Sequence, residues 1–412
     1  MKREEMAMEK VFEAINGVFS FIGPLSDFLW EFPTNFDWYS SIPILGNISF
    51  AIILLLGSGI FFSFRIGFMQ VTYFKKGIRT MTEKRVVETG ISPLASFFLS
   101  SAMRVGPGNI LGVTGAIAVG GPGALFWMWI SALLGMCTKF AEVTLAVHFR
   151  ETNAQGDLVG GPMYYIKNGL SKKWHWLAYL FAAFGVLTVF GTGNATQVNT
   201  ITTAINSALL NYNVISESAV STSNLIIGII IAILIAMILL GGIKRIGHVT
   251  EKLVPIMALF YIIGCVIILV MNASAIPNAF VQIFTLAFQP QAIAGGVAGV
   301  TVQQAMRYGV ARGLFSNEAG LGSTPHAHAL AKVKQPQDQG ALAIIGVFVD
   351  TFVILTLTAL VLITSGLIPE GMTGTVTGSR FFNVREVRPD GTLIDVKLYE
   401  FDTSFRLRSI TL

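Results

Sequence analysis

Residues 101–115 read Ser-Ala-Met-Arg-Val-Gly-Pro-Gly-Asn-Ile-Leu-Gly-Val-Thr-Gly and lie inside an apolar segment, Ile91 to Val119, that is long enough to cross a bilayer. Pro107 lacks an amide donor, glycines flank it, and Arg104 and Asn109 bring polar groups to membrane depth. Unsatisfied backbone groups are costly in lipid, so a break here needs protein, water or a ligand to satisfy them. The pattern predicts a broken spanning helix that binds a small solute or an ion. Its N–H groups suit an anion and its free carbonyls suit a cation.

Composition places the chain among membrane proteins. Of its 412 residues, 53% are hydrophobic and 12% are charged, and the mean hydropathy is +0.66. Such a chain is too apolar for a soluble protein of this size and is typical of a polytopic membrane protein. The formal net charge of +5 does not require a nucleic-acid partner, because the basic residues lie in short loops, as the positive-inside rule expects.

The sequence contains none of the common catalytic motifs. It has no His-Glu-x-x-His zinc motif, no Gly-x-x-x-x-Gly-Lys-Ser/Thr phosphate loop and no nucleophile elbow. We therefore expect that the protein is not an enzyme.

The basic residues fit a single orientation of the spans, with Arg65 to Arg85 and Lys167 to Lys173 in the cytoplasm. The intervening stretches Asn211 to Asn224 and Met271 to Ser274 contain no lysine or arginine, so we place them outside. These features predict an all-α, multi-pass protein of the cytoplasmic membrane, with lipid as its surroundings. The predicted uninterrupted spans are Asn47 to Phe64, Leu125 to Val147, Trp174 to Leu210, Leu225 to Leu240, Leu253 to Val270 and Ala341 to Ile363.

A second interrupted apolar segment runs from Ile276 to Arg307, with glycines at Ala294 to Gly299. Broken helices at corresponding positions of two halves are typical of inverted-repeat transporters, and they mark the binding site. The predicted organisation is a tail with an interfacial helix (1–46), a first span and basic loop (47–90), a first repeat of five helices (91–271), a partial second repeat (272–370) and a polar tail (371–412).

Four motifs resemble the alanine or glycine:cation symporter family. They are Arg-Val-Gly-Pro-Gly-Asn-Ile-Leu-Gly-Val at 104–113, Gly-Gly-Pro-Met-Tyr-Tyr-Ile at 160–166, the long run at 309–323 and Asp-Thr-Phe at 350–352, and the resemblance covers roughly residues 50–366. It implies a leucine-transporter-type inverted-repeat bundle. It also implies a secondary symporter that imports alanine or glycine with sodium, or with protons, by alternating access. No obligatory protein partner is indicated.

The resemblance also implies the site residues. The first broken helix, from Gly108 and Asn109 to Thr114 and Gly115, would hold the substrate carboxylate. Its carbonyls and side-chain oxygens from Gly106 to Asn109 would bind sodium. The ammonium group would meet Gln197, or else Asn194, and the second broken helix would close the pocket.

Three charged residues are candidates for a gate. Arg104 could pair with Glu318 or Asp350, although an arginine near a membrane surface could equally extend toward lipid headgroups. Asp350 is a functional candidate as an intramembrane acid, or else a member of a structural ion pair. Lys139 and Glu142 lie three residues apart and are expected to form a local pair.

The chain departs from the family after Pro369, where further apolar helices are expected and a polar tail follows instead. Residues 381–387 and 392–398 flank Asp390-Gly391, a pattern that predicts a β-hairpin. The second repeat is then incomplete, which leaves two further readings open. One is a truncated, non-transporting remnant of such a symporter. The other is an ion-conducting pore, because glycine-interrupted helices and polar residues also line channels.

Overall fold

The computed structural model of the chain describes residues 25, 28, 31–42, 46, 48–82, 91–106, 108–189, 194, 196–288, 302–365, 381–387, 393–401 and 407–411. The interfacial helix expected at Val11 to Trp30 therefore lies almost entirely outside the described residues. The glycine-rich middle of the second broken helix, 294–299, also lies outside them. The chain forms two compact units, residues 1–58 and residues 59–412.

The described part of the chain is mainly helical, and the order of its elements follows. The helices are α1 Asp37–Ser40, α2 Phe50–Ile66, α3 Met69–Thr72, α4 Phe74–Thr82, α5 Pro93–Arg104, α6 Gly108–Gly120, α7 Ala124–His148, α8 Pro162–Gly169, α9 His175–Thr188, α10 Thr196–Asn211, α11 Val220–Leu239, α12 Gly242–Met271, α13 Ile276–Leu286, α14 Val302–Asn317, α15 Thr324–Ala329, α16 Pro336–Val347 and α17 Thr356–Thr364. The strands are β1 Glu151–Thr152, β2 Leu158–Val159, β3 Phe381–Val387, β4 Leu393–Phe401 and β5 Leu407–Thr411.

Four helical stretches of the described chain are long and apolar enough to cross a membrane: Ala124–His148, Glu217–Leu239, Arg245–Met271 and Pro336–Thr364. Their burial differs widely. In the most apolar part of α7, 72% of the residues are buried. In the corresponding part of α11, none of the residues is buried. A helix that is apolar all round and has no protein cover suits a lipid environment.

Helix α7 is buried because two neighbouring helices, α14 and α16, approach it through glycines. A Cβ atom added at Gly309 or Gly313 of α14 would overlap Ala124 or Ser131 of α7, and one added at Gly340 of α16 would overlap Thr144. Small residues at such positions let helix backbones approach closely in membranes. Leu125 and Met128 are fully buried beside this contact, so the core of the described bundle lies along α7.

Two helix boundaries predicted from charge are wrong. Helix α12 begins at Gly242 rather than Leu253, so Arg245 and Lys252 lie on the helix. Helix α14 continues to Asn317, past the expected end at Arg307. Lysine and arginine are good helix formers, and a helix can continue beyond the apolar layer into water. The basic residues therefore do not mark where these two helices end.

The span expected at Trp174 to Leu210 includes α9 and α10, and Val189 and Asn194 between them are π-helical. Residues 190–193 and 195, which join them, lie outside the described residues. In the tail, β3 pairs with β4 and β4 with β5, both antiparallel, and residues 388–392 at the expected turn lie outside the described residues.

Candidate functional site

The first apolar segment is divided into two helices, as the sequence predicts. Helix α5 begins with Ser92, whose Oγ accepts a hydrogen bond from the Ala95 amide, and it ends at Arg104. Val105 is extended, with ψ 102°, and α6 begins at Gly108. Proline next to this junction cannot donate a backbone hydrogen bond, so the helix is not continued across it.

Asn109, in the first turn of α6, connects this break to a buried acid. Its Nδ2 donates to Asp350 Oδ1 at 2.8 Å, and its Oδ1 accepts from the Gly106 amide at 3.4 Å. Both side chains are buried, with 2% of Asn109 and 1% of Asp350 exposed. The amide therefore satisfies one free backbone donor of the break and fixes the carboxylate beside it.

Asp350 accepts two further hydrogen bonds, from Ser316 Oγ at 3.0 Å and from Thr351 Oγ1 at 3.1 Å. It lies in a π-helical stretch, Phe348–Leu355, that links α16 to α17. Such local widening of a helix is often found at functional sites. Sequence reasoning did not single out Ser316 or Thr351, although both belong to motifs that carry the family resemblance, and these motifs were the available signal.

Arg104 is buried at the end of α5, and of the two alternatives left open for it, an ion pair with Asp350 or Glu318 is not formed. Its Nε donates to the Ser100 carbonyl and its Nη2 to Ser100 Oγ, each at 3.3 Å. Its Nη1 is buried and has no hydrogen-bond partner in the described part of the chain. The guanidinium lies against Gly346 of α16, where an added Cβ would overlap Nη2. Asp350 accepts its hydrogen bonds from three neutral side chains instead of from the arginine.

Glu318 belongs to a second buried charge cluster. Its backbone is left-handed, with φ +55°, in the turn that follows α14, and its Oε2 accepts from Ser323 Oγ at 2.6 Å. Lys139 Nζ donates to the Glu318 carbonyl at 2.8 Å and pairs with Glu142 Oε1 at 2.8 Å. The expected local pair of Lys139 and Glu142 is confirmed, and it also fixes this turn to α7.

Gln197, in the first turn of α10, is close to the break. Its Oε1 and Nε2 atoms lie 3.6 and 3.9 Å from the position that a Cβ on Gly106 would occupy. Asn194 has an exposed side chain. Of the two candidates for the ammonium partner, only Gln197 is therefore brought to the break by a described contact.

The remaining substrate candidates lie on α6. Thr114 Oγ1 donates to the Ile110 carbonyl at 2.7 Å, so its hydroxyl is bonded within its own helix. A Cβ added at Gly108 or at Gly115 would have no atom of the described residues within 4 Å. These two glycines are two helical turns apart and share one face of α6, which leaves room beside the backbone on that face.

A histidine outside the spans contacts the Gly160-Gly161-Pro162 motif. His326 Nδ1 lies 2.8 Å from the Gly160 carbonyl oxygen, and its ring is 6.2 Å from that of Phe181. Burial lowers the pKa of His326 below its usual value, although the bond to Gly160 opposes this shift. This contact joins α15 to the start of α8.

A family model described as the sodium:alanine symporter family matches residues 37–384. The chain belongs to the sodium:alanine symporter family. The model ends fifteen residues beyond Pro369, so the last strands of the tail, β4 and β5, lie outside it. As a member of a family of transporters, the chain is a membrane transport protein.

Named relatives agree with this assignment. The chain is 41% identical over 354 residues to an uncharacterized transporter of Haemophilus influenzae, covering 85% of this chain and 75% of that protein. It is 42% identical to the sodium/alanine symporter AgcS of Methanococcus maripaludis, and the match covers 77% of this chain and 68% of AgcS. It is 38% identical to the amino-acid carrier protein AlsT of Bacillus subtilis, and the match covers 83% of this chain and 68% of AlsT. Among these and the other relatives compared, the matched part is 62% to 75% of the relative's length.

Proposed function

We propose that this protein binds a small neutral amino acid, alanine or glycine, together with sodium at the break between α5 and α6. We further propose that it is a symporter of the cytoplasmic membrane that imports both by alternating access. The observation that carries the proposal is the convergence of three groups at one break: the α6 N-terminus, the Asn109–Asp350 pair and the Gln197 amide. A zwitterion needs a donor, an acceptor and a shielded environment, and these groups supply all three.

Each group has a distinct role in this mechanism. The amides at the N-terminus of α6 attract the substrate carboxylate, because a helix N-terminus carries a partial positive charge. The Gln197 carbonyl oxygen accepts from the substrate ammonium. Sodium binds to oxygens at the break, from Gly106 to Asn109, where the Asp350 carboxylate balances its charge. Because hard cations such as sodium prefer oxygen ligands, this donor set is chemically suited to it.

Coupling requires that substrate and sodium together favour the occluded state more than either does alone. The cluster around Asp350 ties α6 and α14 to the π-helical stretch, and the cluster around Lys139 ties α7 to the turn after α14. We propose that these helices rock together, with Arg104, Glu318 and Asp350 on the inner side of the moving group acting as a gate.

Binding of alanine to the purified full chain tests the site. We expect Asn109→Ala and Gln197→Ala each to abolish measurable binding while the protein still inserts and folds. Asn206→Ala is the matched control, because Asn206 is a buried amide on the same helix as Gln197 but bonds Asn224 and Ser223 instead, each at 2.6 Å. Unchanged affinity in both site variants would refute the proposed site.

Transport in proteoliposomes tests the activity. Saturable alanine uptake that stops when choline replaces sodium supports symport. Alanine binding without uptake would identify a non-transporting remnant, and a current that does not saturate with substrate would identify a pore. Uptake that follows a proton gradient in the absence of sodium would make the proton the coupling ion.

A further inference from the structure

Helix α4 exposes one face that is both basic and apolar. Lys75, Ile78, Arg79 and Thr82 are all exposed, and their spacing places them on one side of the helix. On the other side, Gly77 and Thr80 are buried. This exposed face is not explained by the proposed transport site.

The chain reaches α4 through a sharp bend at the end of a spanning helix. Gly67 and Phe68 are both left-handed, with φ +81° and +51°, and they follow directly on α2. Arg65 lies in the last turn of α2 and is exposed, and Val71 in α3 is 72% exposed. The bend therefore presents basic and apolar groups where the chain leaves a spanning helix.

The charge of this segment has one sign. Residues 59–82 contain four basic residues and no acidic one. Lys76 pairs with Asp338 at 2.9 Å and lies over the Tyr73 ring. Thr82 Oγ1 donates to the backbone carbonyl of Arg79. Within the described chain, the side-chain cations of Lys75, Arg79 and Arg65 have no ion-pair or hydrogen-bond partner. These three cationic groups are thus without a partner among the described residues.

We propose that this surface, formed by Arg65 and the exposed face of α4, binds the phosphodiester headgroups of anionic phospholipids in the cytoplasmic leaflet. Charge complementarity selects an anion, and the apolar residues select a lipid over a free anion. Ile78 is 44% exposed and stands between Lys75 and Arg79 on the same face. An apolar side chain between two cations fits the boundary between headgroups and acyl chains.

The bound lipid would stabilise a contact next to the transport site. Gly77 lies against Ala341 and Ile345 of α16, and the ring of Phe74 lies 5.2 Å from that of Phe348. Lys76 pairs with Asp338, which belongs to the capping box at the start of α16. Helix α16 leads directly into the stretch that contains Asp350, so anionic lipid holds α4 against the helix that positions this acid.

The test titrates short-chain phosphatidylglycerol into the detergent-solubilised full chain and follows the increase in Tm. The variant is Lys75→Gln/Arg79→Gln. Its matched control is Lys172→Gln/Lys173→Gln, which removes the same charge from exposed lysines in another basic loop. At about 1 kcal/mol for each basic residue near an anionic surface, we expect half-saturation to shift roughly thirty-fold in the variant and little in the control. Lys75→Arg/Arg79→Lys should retain the wild-type response.

Several outcomes would overturn the proposal. The proposal would be wrong if phosphatidylglycerol raised the Tm of every variant with the same half-saturation. It would also be wrong if the control Lys172→Gln/Lys173→Gln weakened the response as much as Lys75→Gln/Arg79→Gln does. A Tm shift of the same size with glycerol phosphate would mean that acyl chains are not recognised. Wild-type half-saturation should also weaken as salt is raised, because exposed charges are screened. A response independent of salt would refute the proposal even if the variants failed to fold.

Discussion

Replacing Lys139 with methionine tests the buried ion pair that fixes the turn after α14. Lys139 is completely buried, and the side chain of its partner Glu142 is 8% exposed. Methionine keeps most of the length of the side chain, so the main change is the loss of the ammonium group. Glu142 then keeps the hydrogen bond from the Gly320 amide, at 3.5 Å. Removing one member of a buried pair costs about 3–5 kcal/mol, and we expect the free energy of unfolding to fall by that amount.

Removing both charges separates the pair from its surroundings. In Lys139→Met/Glu142→Met no unpaired charge is left, so most of the lost stability should return, with a coupling energy of about 2 kcal/mol or more. An exposed pair provides the comparison. Lys167 and Glu151 are 3.1 Å apart, with 54% and 38% of their side chains exposed, and Lys167→Met should cost less than about 1 kcal/mol.

Reversible unfolding in mixed micelles, followed by circular dichroism, gives these free energies for Lys139→Met, Glu142→Met, the double variant and Lys167→Met. We expect the losses of the two single variants at Lys139 and Glu142 not to add in the double variant. If the double variant lost the sum of the two single losses, the pair would not be coupled in the folded protein, and the account of the turn after α14 would be wrong.

Three further predictions concern other parts of the fold. Burial lowers the pKa of His326 below its ordinary value of 6.5, so below pH 6.5 the unfolded chain binds more protons than the folded chain. The contribution of His326 to stability should therefore be complete above pH 6.5 and decline as the pH falls below it, and the plot of Tm against pH should be flatter for His326→Gln. Gly161 has φ +132°, and a Cβ added there would overlap the His326 ring. Gly161→Ala should therefore lower the free energy of unfolding in urea by about 2–4 kcal/mol. The control is Gly156→Ala, which should lower it less, because Gly156 has φ +82° and no described atom lies near the added Cβ. Asp350→Asn should weaken the apparent sodium affinity by about tenfold or more, because a charge-assisted interaction becomes neutral. The affinity is measured by titrating sodium at a fixed alanine concentration. An unchanged midpoint of this titration would mean that sodium binds elsewhere.

The sequence was sufficient to predict where the first spanning segment breaks. Pro107 and the glycines beside it act through local backbone chemistry, which does not depend on the rest of the fold. The resemblance to the family then indicated Gln197, and the structure brings its amide beside Gly106. The predicted break is confirmed because it rests on local backbone chemistry, whereas the role of Gln197 as the ammonium partner stays a prediction.

The contacts of Asp350 could not be predicted in the same way. Asn109 and Asp350 are 241 residues apart, and nothing in the composition of either segment selects the other. The position of Arg104, for which pairing with an acid was one of two open alternatives, could not be predicted for a related reason. Charge alone suggested the pair, but the packing of Arg104 against Gly346 and its bonds to Ser100 determine where the guanidinium lies.

The close approach of α7, α14 and α16 has a practical consequence for spectroscopy. Added Cβ atoms at Gly313 and Gly340 would overlap Ser131 and Thr144 of α7, so these helices cannot slide past one another without rebuilding their shared surface. Spin labels or fluorophores placed across the trio should report one constant distance in every state of a turnover cycle. Such label pairs give a reference distance with which the movement of any other helix can be compared.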